Sequence, residues 1–384
     1  ITAETVFGQA ASLNSDATGI ESGSITADGN VVGLAAAKVL AIGVNAGNIT
    51  KADNVIGQAV STDGAAYGIN ATGNITADGS VVGMAAAKGE ADGIIAQEIN
   101  AKDVFGQGLS TDGYATGICT NGDITANGNV IGMAEAEGKA QGIYAGNITK
   151  AENVLGQAVS VEGEAYGINA HKNITAAGSV VGMAEAKESA TGIHAYDNIK
   201  AENVFGQAVS VEGNANGISA TNVEAAGNVV GMAAAKGNAE GIYAGNIIKA
   251  DNVIGQAVST DGAATGIDIT NSGTWGDITV TGNVVGMAEA KERAMGINAD
   301  YIEAANVFGQ ALSVESDAYG INADVTAENG SVIGMAEAKY MATGISADVI
   351  TAQEVFGQAA SVDGEANGIY ATTITATGSV VGMA

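Results

Sequence analysis

Val55-Ile56-Gly57-Gln58-Ala59-Val60-Ser61, followed by Val81-Val82-Gly83-Met84-Ala85-Ala86-Ala87, decides the fold of this chain. A β-branched or aromatic pair precedes Gly-Gln at Gln9, Gln58, Gln107, Gln157, Gln207, Gln256, Gln310 and Gln358. A similar pair precedes Gly-Met at Met84, Met133, Met183, Met232, Met287, Met335 and Met383, with Leu34 in the remaining slot. Each series recurs about every 49 residues, and the two are offset by about half of that. Gly-Ile recurs about every 25 residues, from Gly19-Ile20 to Gly368-Ile369, with Val44 the one substitution. A fixed period of this size marks a tandem array. Residues 1–384 read as one such array of about eight ~49-residue blocks, each of two ~25-residue halves.

One half-block predicts three short strands. They are 55–61, 65–71 and 74–77, separated by Thr62-Asp63-Gly64, Thr72-Gly73 and Asp78-Gly79. Such runs between Gly, Asp and Asn turns indicate all-β structure, and the Gly inside every motif disfavours helix. By the period of two, Val55, Gly57, Ala59 and Ser61 share one face of the first strand, and Ile56, Gln58 and Val60 share the other. The first face is small throughout, so a second layer can pack closely on it. The Ile of Gly-Ile reads as an inward core position. Two architectures fit. One is a β-solenoid or stacked β-arch, amyloid-like, with some sixteen coils ~4.8 Å apart over ~75 Å. The alternative is an eight-bladed β-propeller built from antiparallel hairpins. The sub-period of 25 and the very short third segment favour the solenoid.

Composition narrows the function classes. The chain has 57 Gly and no Pro, and absence of Pro suits a sheet whose backbone donors are nearly all in use. All five Phe (Phe7, Phe105, Phe205, Phe308 and Phe356) fall in the Gly-Gln motif. A formal net charge of −28 argues against nucleic acid, whose affinity rests on a basic footprint. Anionic membranes would repel the chain too, and no run of 18 apolar residues is present to insert into a bilayer. The single cysteine, Cys119, excludes an intrachain disulfide and is a candidate intermolecular thiol. Its slot after Gly-Ile elsewhere holds Asn70, Asn169, His194, Ser219, Tyr243 or Asp268, which reads as solvent-facing.

Candidate chemistry is repetitive rather than unique. The eight Gln are expected to form a structural ladder of amide hydrogen bonds along the stack. Asn48, Asn74, Asn147 and Asn173 open Asn-Ile-Thr triplets, which read as glycosylation acceptors or as a second amide ladder at a turn. The acidic turns Asp63-Gly64, Asp112-Gly113, Glu162-Gly163, Glu212-Gly213, Asp261-Gly262 and Asp363-Gly364 would align in a stack, and carboxylate rows could hold divalent cations such as Ca²⁺. Solvated turns are the plainer reading, and no other cofactor is expected. His171 and His194 sit at variable positions without partners in register. No nucleophile–base–orienter set stands out, so no enzyme is expected. The period breaks once, near Thr270-Asn271-Ser272-Gly273-Thr274-Trp275-Gly276, where a surface turn insertion is expected.

Both ends keep the repeat consensus, and no cap of proline or clustered charge guards either edge. The expectation is a homopolymer joined edge to edge, with sheets continuous between copies. The start at Ile1, already inside the pattern, fits a mature chain trimmed of its leader.

With the repeats laid out, the chain resembles the major sheath proteins of filamentous methanogenic archaea, of the Methanospirillum type. The resemblance covers the full length. It rests on the alternating Val-Phe-Gly-Gln and Val-Val-Gly-Met units, the acidic Gly/Ala/Asx-rich composition, the scarcity of Cys and the absence of Pro. It implies an amyloid-like assembly of β-arches in an extracellular cell sheath or surface layer that encloses and protects cells. Repeats such as Ala145-Gly146-Asn147-Ile148-Thr149 also resemble the β-helical shafts of secreted adhesins. The function expected is therefore structural self-assembly, with a shaft or other binding module as the alternative.

Overall fold

The computed structural model describes residues 1–271 and 274–384; Ser272 and Gly273, within the inserted stretch, lie outside the described residues. No helix occurs among the described residues. The chain divides into two compact units. The first is Ile1–Glu188 with Gly192–Tyr196, and the second is Ser189–Thr191 with Asp197–Ala384. Each is built from the same coil.

One coil comprises Val55–Ser61, Ala65–Ala71 and Ile75–Ala77, close to the strands expected. Each strand pairs in parallel with its equivalent one coil away. Val55 lies between Val31 and Val81, Ile69 beside Ile94, and Ile75 beside Ile99. The second unit repeats the scheme, with Val229 between Val204 and Val253 and Ile242 beside Ile218 and Ile267. This is a β-solenoid. Propeller blades need antiparallel neighbours within a blade, and the described ladders from coil to coil are parallel, which overturns the eight-bladed alternative. The one described antiparallel pairing joins Thr270–Asn271 to Thr274–Trp275, beside the insertion.

The inward pattern follows from side-chain size. Along Val55–Ser61 the buried residues are Val55, Gly57, Ala59 and Ser61, as the alternation predicts. The layer packed on this small face is the second strand of the same coil. A Cβ on Gly57 would overlap the carbonyl oxygen of Gly68, so only glycine lets the two backbones approach this closely. In the second strand Gly68 and Ile69 are consecutive and both buried, which breaks the alternation and turns the chain around the core. Val55, Ile69 and Ile75 are wholly buried, one from each strand. Burial of each such side chain contributes about 1.5–3 kcal/mol, repeated at every coil.

Some coils absorb an extra residue. Ile49-Thr50-Lys51-Ala52 is one residue longer than Ile75-Thr76-Ala77, and the ladder between them shifts register there. Lys51, Lys150 and Lys249 take φ of 61°, 60° and 65°, the left-handed region in which a bulged residue projects outward.

Candidate functional site

The residues that repeat most faithfully lie in rows along the coil stack. Gln58 is paired with Leu34 on one side and Met84 on the other; Gln107 with Met84 and Met133; Gln157 with Met133 and Met183. Gln9 lies beside Leu34. In the second unit Gln207, Gln256, Gln310 and Gln358 alternate in the same way with Met232, Met287, Met335 and Met383. The expected glutamine ladder is therefore not formed. The coil, not the 49-residue block, is the stacking unit, so successive Gln stand two coils, ~10 Å, apart. An amide ladder needs neighbours at ~4.8 Å.

Such a ladder exists instead at the corner before the first strand, and it is made of asparagine. Asn54 Nδ2 donates to Asn30 Oδ1 (2.8 Å), and Ser80 N donates to Asn54 Oδ1 (2.9 Å). In the second unit Asn252 donates to Asn228 (2.9 Å), Asn283 to Asn252 (3.1 Å) and Asn306 to Asn283 (2.8 Å). The signal was present as an Asn, Asp or Ser immediately before nearly every Val-x-Gly. A second ladder runs through the Asn-Ile-Thr triplets. Asn74 N donates to Asn48 Oδ1 (2.9 Å), Asn173 N to Asn147 Oδ1 (3.1 Å), and Asn147 Nδ2 to Asp123 (2.7 Å). The rungs donated by Ser80 N, Asn74 N and Asn173 N also satisfy a corner backbone amide that the short turn leaves without a sheet partner.

At the corner after the first strand, buried Ser61 donates to the Val39 carbonyl (2.9 Å) and accepts from Gly64 N (3.1 Å). This arrangement holds Thr62-Asp63-Gly64 in a tight turn. The acidic turns do not stack on one another. Asp63 lies over Lys38, Asp112 over Lys88, Asp261 over Lys236 and Asp363 over Lys339, by backbone hydrogen bonds of 2.8–2.9 Å. Ion pairs join Lys38 to Asp63 (3.7 Å), Lys88 to Asp112 (3.5 Å), Lys291 to Asp261 (3.5 Å), and Lys187 to Glu162. Lysine thus interrupts the carboxylate rows expected at these turns except at Glu137, which lies between Asp112 and Glu162, with Glu162 N donating to the Glu137 carbonyl (2.7 Å). Each exposed pair contributes at most about 1 kcal/mol, so the alternation sets register more than stability.

Cys119 stands between Ile95 and Tyr144 on an outward row of the second strand and is half-buried, less open than its slot suggested. Burial pushes its thiol up to about 11, with the nearby carboxylates of Asp92 and Glu90 adding to the shift. Only the thiolate attacks alkylating agents or disulfides. Alkylation of Cys119 by iodoacetamide at pH 8 is expected to be on the order of a hundredfold slower in the folded chain than after unfolding in urea.

Asp92 occupies the outward row of the second strand, between Tyr67 and Thr116, and is nearly inaccessible. Burial and then the Glu90 carboxylate push its carboxyl up to about 7 from an ordinary 3.8. Between these values the folded chain keeps a proton that the unfolded chain releases. Stability at this residue is therefore full at low pH and is lost as pH rises toward 7. Replacing Asp92 with Asn is expected to remove that slope, raising Tm relative to the parent chain above pH 7 while leaving it little changed near pH 4.

His171 and His194, the two histidines, line one recess of the first unit with Tyr166, Asn169 and Tyr196. Tyr144 meets His171 edge-on, with ring centroids 4.8 Å apart. Burial, then the neighbouring His171, lowers the His194 pKa. Their different places in the repeat concealed this approach. Among the described residues no cluster of three or more His, Cys, Asp or Glu could hold a metal ion. Comparison with family models, curated proteins and solved structures finds no match to this chain.

Proposed function

We propose that this chain is a structural protein whose coils assemble edge to edge with those of other copies into an extracellular sheath or surface layer that encloses and protects cells. The observation that carries the reading is the equivalence of the coils. Gly57 pairs with Gly33 and Gly83, and Gly231 with Gly206 and Gly255, always in parallel and in one register. A coil edge from one copy can therefore accept a coil from another with the same main-chain hydrogen bonds, asparagine rungs and lysine–carboxylate pairs. Within this chain Val6–Ala11 is paired along one edge by Val31–Ala37, and Val380–Met383 along one edge by the strand containing Val355–Gln358.

Two further features support a protective polymer. The chain offers 14 Lys and Arg, so trypsin finds few sites in a backbone committed to ladders. The resemblance to archaeal sheath proteins points the same way. A shaft of a secreted adhesin draws on the same parallel coil, but it would remain a single-chain rod.

Electron microscopy with fibre diffraction separates these readings. At physiological ionic strength, purified chain is expected to give tubes, rings or sheets with a ~4.8 Å reflection along the stacking direction. Discrete particles of 37.6 kDa would overturn the polymer and favour the shaft.

A further inference from the structure

The outward face of the first strands is unlike the rest of this acidic chain. In the first unit one row runs Phe7, Val32, Ile56, Val82, Phe105 and Ile131, and continues with Leu155 and Val181. Beside it lies the row of alternating Gln and Met. A third row holds Ala, Val or Leu, and its charged members are Glu135 and Glu185. No lysine or arginine stands in these three rows, and Glu135 and Glu185 are their carboxylates; Asp103 adds one at the margin, in the corner row beside the Phe row. Phe7 is 63% exposed, Val60 42% and Leu109 38%, while Val32, Ile56, Val82, Phe105 and Ile131 are half-buried and still reach solvent. The second unit carries the same three rows, from Phe205 to Val381, with Glu289 and Glu337 in the third. Thus all five Phe face outward, where a single-layer coil gains little from them.

We propose that this face is a sheet-to-sheet interface whose occupant is the same face of a second copy. Three observations favour a second copy. The first is area. Eight strands stacked ~4.8 Å apart and each ~20 Å long present about 800 Å² per unit, the share each partner gives to a standard stable interface. The second is charge. Two chains of net charge −28 repel one another, and this is the broad surface on which they can approach with few carboxylates opposed. An anionic lipid surface would meet the same overall repulsion. The third is composition. An aromatic and aliphatic row on one side and an Ala, Val and Leu row on the other flank the central Gln and Met, and the glutamates lie in the outer row nearest the charged corner, a composition rich in the Phe and Met that protein interfaces favour. Two such faces pack ~10 Å apart, as sheets do, and each Phe reaches the opposing rows.

The proposal does not require edge-to-edge growth, so the two readings fail separately. Mass per length by scanning transmission electron microscopy applies to polymers, and sedimentation equilibrium to material that stays small. The expected result is two chains at each level of a polymer, or a dimer of twice 37.6 kDa if no polymer forms. Ile56→Glu with Phe105→Glu, two coils apart and both outward, is expected to halve that mass while circular dichroism stays unchanged. Ile56→Gln with Phe105→Gln is the milder pair if the glutamates perturb folding, and Thr111→Glu, at an exposed turn off this face, is expected to leave the mass as it was. A single-chain mass in the parent protein overturns the proposal, as does a paired mass that survives both double variants. A single-chain parent that floats with neutral phosphatidylcholine vesicles would overturn it in favour of lipid.

Discussion

Adding one methyl group at Gly106 is expected to destabilise the first unit by about 3 kcal/mol or more, the range of a severe overpacking. The Cβ would overlap the Gly117 carbonyl oxygen and lie 2.5 Å from Ile118 Cγ1. Backbone cannot rotate away as a side chain can. Relief requires the first and second strands of the coil to separate, and the coils above and below make the same approach between Gly83 and Gly93 and between Gly132 and Gly142. Moving one coil therefore strains two more. Gly106→Ala should lower the urea midpoint and broaden or split the transition followed by circular dichroism, because a stacked array unfolds through neighbour contacts. An unfolding free energy within about 0.5 kcal/mol of the parent would mean that the backbones are not packed this closely.

Truncating Ile143 to Ala is expected to cost about 2–5 kcal/mol. Its side chain is wholly buried and stacks between Ile118 and Ile168, equally buried. The rigid ladders on either side limit collapse of the cavity, which places the cost toward the upper part of that range. Thermal unfolding at matched pH checks it. In chains held apart at low concentration, Phe105→Ala should cost much less, because that ring faces outward and its larger role is in association.

These contrasts bear on what could be read from the amino acids alone. The first and second strands were legible because alternation and the Gly markers set their faces, and the Ile of Gly-Ile was correctly placed inside. The Gln ladder was misread even though the Gly-Met series, offset by half a block, already showed what lies between successive Gln. Attention to the invariant motif hid the Asn one residue before it, which carries the rungs. Acidic turns looked like a row for the same reason, until the Lys of the intervening coils was laid between them. Cys119 is less open than the variety of residues in its slot suggests, because it stands between the large side chains of Ile95 and Tyr144. The recess holding His171 and His194 was not legible, since a turn residue and a strand residue meet there only once the coils stack.

The alternation of Gln with Met, and of acid with lysine, gives the stack a parity. Outside the acidic run Asp112, Glu137 and Glu162, inserting or deleting a single coil would set Asp over Asp and Lys over Lys, whereas adding or losing two restores the alternation. A chain of this kind can change length in pairs of coils, like a molecule that counts in twos. The added residues near 270–276 obey the same arithmetic. They stretch the spacing from Asn252 to Asn283 to 31 residues, against 24 from Asn228 to Asn252. Yet Gln256 still meets Met287, because the extra length is spent within a coil and the count is unchanged. Errors inside a turn of the chain are absorbed; errors in the number of turns are marked for rejection.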